Sequence, residues 1–116
     1  MSNVYQKGDL VWVDLGKPPD EVKGHEQGNI RPCVVLSNYG ALKLALIAPC
    51  TSKLKSYSSP TSVLVSAGVG GLTQDSAIML HQMRTVSHDR ITGTIGVLPT
   101  KIMDAIDILL LDILDL

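Results

Sequence analysis

Short apolar runs along the chain are broken at close intervals by polar, glycine- and proline-marked stretches, the pattern of a β-rich domain. Near the start, Leu10, Trp12 and Asp14 alternate with Val11, Val13 and Leu15, which predicts a strand with both faces at least partly covered. Further strands are predicted over 33–37, 42–48, 62–66, 77–83 and 93–98. They are separated by Asn38-Tyr39-Gly40, by residues 53–60 and by Gly68-Val69-Gly70-Gly71. Beyond Leu98 the pattern becomes helical. Pro99 or Thr100 stands in the cap region with Asp104 in the first turns, and Ile102, Ile106, Leu109, Leu110 and Ile113 then fall on one stripe. Ile108, Leu111, Leu114 and Leu116 widen that stripe beyond the needs of a small core, which points either to a partner surface or to an amply buried helix. Together these elements predict a mainly β domain, a small, strongly bent, SH3-like barrel closed by a C-terminal helix.

At 116 residues the chain is expected to form one domain, 1–116, with a single core. Hydrophobic residues at 45% and charged residues at 18% exclude a disordered chain, and the absence of Phe leaves Val, Ile, Leu and Met to build the interior. A formal charge of −1 and a pI near 6.2 argue against a nucleic-acid coat protein but leave room for a local basic cleft. Lys17, Lys23, Arg31, Lys53 and Lys55 lie in the first half, whereas Asp104, Asp107, Asp112 and Asp115 crowd the C-terminal segment. This suits a basic working face with an acidic back, or simply solvated lysines. No secretory signal is evident in residues 1–9, and aspartates interrupt the last apolar run, so the expected location is cytoplasmic, with no membrane. Cys33 and Cys50 are expected as buried thiols. A zinc site would need both of them plus two of His25, His81 and His88 without any close paired spacing, so no metal is expected.

The long irregular segments, 16–30 and 53–60, are the natural places for function on a small barrel. The first contains Gly24-His25-Glu26-Gln27-Gly28-Asn29-Ile30-Arg31-Pro32 and runs directly into Cys33-Val34-Val35-Leu36-Ser37. Arg31 therefore stands where a polar loop meets a strand, and its planar, permanently charged fork matches a phosphate. His25, whose unperturbed pKa lies near neutrality, is a candidate for acid–base work or for phosphate binding on the same loop.

Four more stretches accompany this one: Gly8-Asp9-Leu10-Val11-Trp12-Val13-Asp14-Leu15; Pro49-Cys50-Thr51-Ser52; Gly71-Leu72-Thr73-Gln74-Asp75-Ser76; and Gln82-Met83-Arg84-Thr85-Val86, followed by Arg90-Ile91. In this order they resemble the MazF/PemK (Kid) family, RNA-cleaving toxins of bacterial toxin–antitoxin pairs. The resemblance implies a barrel of the CcdB/PemK type and a sequence-specific endoribonuclease needing no cofactor. Cleavage of single-stranded RNA would use the 2′-OH, leaving a 2′,3′-cyclic phosphate and a 5′-OH. It gives Arg31 and Thr51 the central catalytic positions and transfers the loop histidine to His25. His81 stands where relatives commonly carry a carboxylate; it is a candidate base, an RNA contact or a packing residue. Glu26, Gln27, Ser52, Lys53, Lys55 and Tyr57 are the expected RNA-binding residues. Tyr57 is the best stacking candidate, and Trp12 is expected in the core or at an interface. Arg84 and Arg90 are expected as structural or rim charges, and His88 at the surface. The implied partners are a second copy of the chain and a MazE/PemI-like antitoxin with an acidic segment, with DNA reached only through the antitoxin. Two alternatives remain. One is a CcdB-like gyrase poison, though the chain ends Leu111-Asp112-Ile113-Leu114-Asp115-Leu116 without the aromatic such a mechanism uses; the other is a catalytically inactive toxin relative.

Overall fold

The computed structural model describes residues 4–16, 29–54 and 59–116. Among these residues there are seven strands, β1 (Asp9–Asp14), β2 (Ile30–Tyr39), β3 (Leu44–Thr51), β4 (Ser62–Val65), β5 (Ser76–Met79), β6 (Arg84–Ser87) and β7 (Ile91–Val97), and the last is followed by a helix, α1 (Thr100–Ile113). They form a single antiparallel sheet in the order β4-β5-β3-β2-β1-β7, with β6 also pairing with β3.

Both faces of the central strands are covered. Leu10, Val34, Ala48 and Cys50 point to one side, where Met103 and Ile106 of α1 pack with Ile78 and Leu98. Val11, Val13, Cys33, Val35 and Ile47 point to the other side, against Val86 and partly buried Tyr5 and Ile91. Two-sided burial is why β1 and β2 are nearly continuous apolar runs instead of clean alternations. A glycine contact locks β7 over the 69–71 turn: Gly70 adopts φ 65, and a Cβ on Gly96 would collide with Gly70 O.

Three expectations need correction. Residues 77–83 are not one strand, because β5 ends at Met79 and a 3-10 turn over Leu80–Gln82 leads into β6. Two residues of β3 lie between Cys50 and Ile47, while five lie between their partners Ile78 and Arg84, and the turn takes up the excess. Residues on both parities of this stretch are buried, so no change of period marks the break. His88 is not at the surface: it is 7% exposed, with Nε2 2.8 Å from Asn38 Oδ1 and 3.1 Å from Leu44 O, and its ring meets Tyr5 edge to face. The helix is not amply buried either. Ile106 is fully covered, but Ile108 is 70% and Leu116 85% exposed, with Leu111 and Leu114 also open to solvent. Among the described residues no helix is long and apolar enough to cross a membrane.

Candidate active site

Antiparallel pairing of β1 with β2 sets Trp12 opposite Pro32 and Val13 opposite Arg31. β2 begins at Ile30, earlier than its apolar run, so Arg31 is held inside a strand instead of hanging from a loop. On the neighbouring strand, the end of β3 is clamped by β5, with Cys50 opposite Ile78 and Thr51 opposite Ala77. Between these two strand ends lies an open cavity of about 370 Å³. Trp12, Asn29, Ile30, Arg31 and Pro32 form one wall, Cys50, Thr51 and Ser52 the floor, and Leu72, Thr73, Gln74 and Ser76 the opposite wall.

Arg31 is the sole charged side chain among the described residues lining this space. It is half-buried, and a guanidinium's planar, permanently charged fork matches a phosphate or carboxylate. Thr51 is 2% exposed, and its Oγ1 accepts the Lys53 N–H at 3.1 Å. Accepting that bond orients the hydroxyl and leaves its own proton to donate toward a bound oxygen. The third wall is also fixed, because Ser76 Oγ donates to Gln74 O at 2.9 Å.

The thiols take no part. Burial pushes the Cys50 thiol up to about 12. Cys33 is raised well above the ordinary thiol value, first by burial and then by Cys50, while Arg31 and Arg84 pull it down less strongly. Thiols kept protonated in this way are inert as nucleophiles near neutrality. The two are unpaired and face opposite sides of the sheet. Among the described residues no three His, Cys, Asp or Glu side chains gather as a metal site.

The structure thus brings together Arg31, Thr51 and Ser52 of the residues expected from the sequence. Lys53 is exposed and joins them through its backbone bond to Thr51. His81 is elsewhere: exposed, it places Nδ1 2.7 Å from Thr61 Oγ1, whose own neighbour is Ser59 Oγ at 2.9 Å, and it does not line the cavity. His25, Glu26, Gln27, Lys55 and Tyr57 lie outside the described residues. Sequence reasoning missed Trp12, which is 40% exposed and forms a cavity wall, and gave no role to Gln74. A signal for Trp12 was present in β1, since it shares a face with polar Asp14, showing that this face opens to solvent at the strand end.

Comparison with known proteins agrees over almost the whole chain. The family described as PemK-like, MazF-like toxin of type II toxin-antitoxin system matches residues 6–114. Endoribonuclease EndoA of Bacillus subtilis (strain 168) is 33% identical over 107 residues, covering 90% of this chain and 89% of that protein. The crystal structure of MazF (Form-I) from Deinococcus radiodurans superposes with a TM-score of 0.79 at 26% identity, covering 99% of this chain and 100% of the other. The MazE-MazF (Form-II) crystal structure from the same organism gives 0.76 at 26% identity, with 99% of both chains covered.

Proposed function

The chain belongs to the PemK-like, MazF-like toxin family of type II toxin-antitoxin systems, and from that premise we propose that it is a sequence-specific endoribonuclease cleaving single-stranded RNA without a metal ion. The observation that carries this reading is the cavity that Arg31, from the start of β2, and Thr51, from the end of β3, line together. The naming of EndoA as an endoribonuclease supports it.

In the proposed reaction the 2′-oxygen attacks the adjacent phosphorus. The new P–O2′ bond forms as the P–O5′ bond breaks, giving a 2′,3′-cyclic phosphate and a 5′-OH. The 2′-OH proton leaves to a base, and O5′ takes up a proton as it departs. Arg31 binds the non-bridging oxygens and offsets the charge that grows on them, with Thr51 donating to the same centre. His25, six residues before Arg31 in the chain, is assigned the proton transfer. His81, held on Thr61 outside the cavity, is assigned to fixing the 59–62 turn. Ser52, Gln74 and the Trp12 indole bind the flanking nucleotide, and Glu26, Gln27, Lys53, Lys55 and Tyr57 extend the contact along the RNA.

The same reading supplies partners and place. An antitoxin of the MazE/PemI type, whose acidic segment competes with RNA for the cationic cavity, is supported by the MazE-MazF complex of D. radiodurans. A second copy of the chain covers the apolar residues that α1 leaves exposed, giving a homodimer, and the protein works in the cytoplasm on mRNA, with DNA reached only through the antitoxin.

The test is incubation of the purified chain with a long single-stranded RNA in EDTA, beside Arg31→Ala, with cut sites and end chemistry mapped. Cleavage at a defined motif that survives EDTA, leaves 5′-OH ends and disappears in the variant is expected. Intact RNA from folded protein overturns the proposal.

A further inference from the structure

β1 ends exactly one residue beyond the point where β7 stops supporting it, and side chains take over there. The β1–β7 register closes with Val13 opposite Ile91. Arg90, immediately before β7, carries its Nη1 to 3.0 Å from Asp14 O. Arg84 of β6 reaches the next carbonyl, Leu15 O, over a longer 3.5 Å. Across the neck, the Leu15 N–H donates to Asn29 O at 2.9 Å, and Asn29 N–H returns a bond to Gly16 O from a left-handed conformation, φ 63. Two arginines from two neighbouring elements therefore hold two consecutive carbonyls at the neck from which β2 starts, with Ile30 and Arg31 in register against Asp14 and Val13.

We propose that Arg90, assisted by Arg84, is a positioning residue for RNA cleavage: by tying down the carbonyls of Asp14 and Leu15 it sets where the Arg31 guanidinium and the Trp12 indole stand in the cavity. The inference rests on the proposed function, which gives Arg31 its catalytic role. Neither Arg84 nor Arg90 lines the cavity, so their effect on the reaction runs through β1. A guanidinium suits the task because its several fixed N–H groups bind a carbonyl directionally and keep their charge at every working pH. The stakes are high at a site that works by orientation, where a displacement of about 1 Å costs roughly 10²-fold in rate.

The test uses the full chain with Arg90→Gln, Arg90→Lys and Arg84→Gln, assayed on one RNA oligonucleotide containing a mapped cut site. For Arg90→Gln, kcat falls about 10- to 100-fold while KM stays within about twofold. Arg90→Lys, the variant safest for folding, recovers part of the loss. Arg84→Gln, with its longer contact, loses less than Arg90→Gln. Emission of Trp12, the single tryptophan, shifts in Arg90→Gln, and exchange of the Leu15 amide quickens. The salt dependence of RNA binding keeps its wild-type slope. A slope lowered by about 0.7 would mean that Arg90 touches a phosphate, and an unchanged kcat would mean that it only supports the fold; either result overturns the proposal. If the wild type cleaves no RNA, the proposed function fails, and the clamp is judged on Trp12 emission and Leu15 exchange, which overturn it by staying unchanged.

Discussion

The Lys53 backbone N–H donates to Thr51 Oγ1 at 3.1 Å, so one hydroxyl both caps the turn after β3 and faces the cavity beside Arg31. The two duties separate by substitution. Thr51→Ser retains the hydroxyl and is expected to keep most of the RNA-cleaving rate. Thr51→Val keeps the shape but removes both bonds, lowering stability by about 1 kcal/mol and the rate by about 10²–10³-fold. Chemical denaturation and single-turnover cleavage measure the two effects independently. A wild-type rate in Thr51→Val would leave the residue as a turn cap alone.

Trp12 offers a partly exposed indole on the cavity wall opposite Pro32, within the same space as Arg31. Base–aromatic stacking contributes about 1–3 kcal/mol per base. In an Arg31→Ala background, which prevents cleavage, Trp12→Ala should weaken binding of a cut-site oligonucleotide by about that amount, while Trp12→Phe keeps most of it. Fluorescence anisotropy of labelled RNA reads the difference. Equal affinities for the alanine and parent proteins would remove the indole from the RNA contact.

The hydrophobic pattern located β1, half of β2, most of β3, β4, most of β7 and the start of α1, because each carries its own period or turn chemistry. It failed where burial on both faces erased the period, as in the stretch holding Met79 and Leu80, where a 3-10 turn interrupts two strands on one edge of β3. Arg31 and Thr51 were singled out through ordered motifs, and both line one cavity because β2 and β3 are neighbours, so that the start of one and the end of the other lie at the same end of the sheet. Trp12 and Gln74 were missed as cavity residues because their placement depends on non-local pairing, invisible until β1 and the 72–76 segment line the same space. His88 was misplaced for the same reason, since its partners Asn38 and Leu44 lie far away along the chain.

The buried His88 makes a stability prediction that a surface histidine would not. Leu44 O can only accept, so Nε2 carries its proton and donates to it, with Asn38 Oδ1 as a second acceptor. His88→Ala leaves these groups without their donor and opens space beside Tyr5, costing about 2–3 kcal/mol in a urea melt. A loss below about 0.5 kcal/mol, the range of ordinary surface substitutions, would contradict the burial.

The two thiols give the fold an alkaline limit. In the unfolded chain a cysteine titrates near 8.5, whereas burial holds Cys50 protonated to about 12 and Cys33 well above its ordinary value. Between those values the unfolded state has lost protons that the folded state still binds, so unfolding becomes easier as pH rises. The stabilising effect is complete below about 8.5, and each thiol takes away at most about 1.4 kcal/mol per pH unit above it. Urea melts from pH 7.5 to 10.5 should therefore show stability falling with pH. Cys50→Ala should be less stable at pH 7.5, because it removes packing from the core, yet lose stability less steeply as pH rises. Parallel slopes in the two proteins would mean that Cys50 ionises as readily in the fold as in the unfolded chain, and would place it in contact with water.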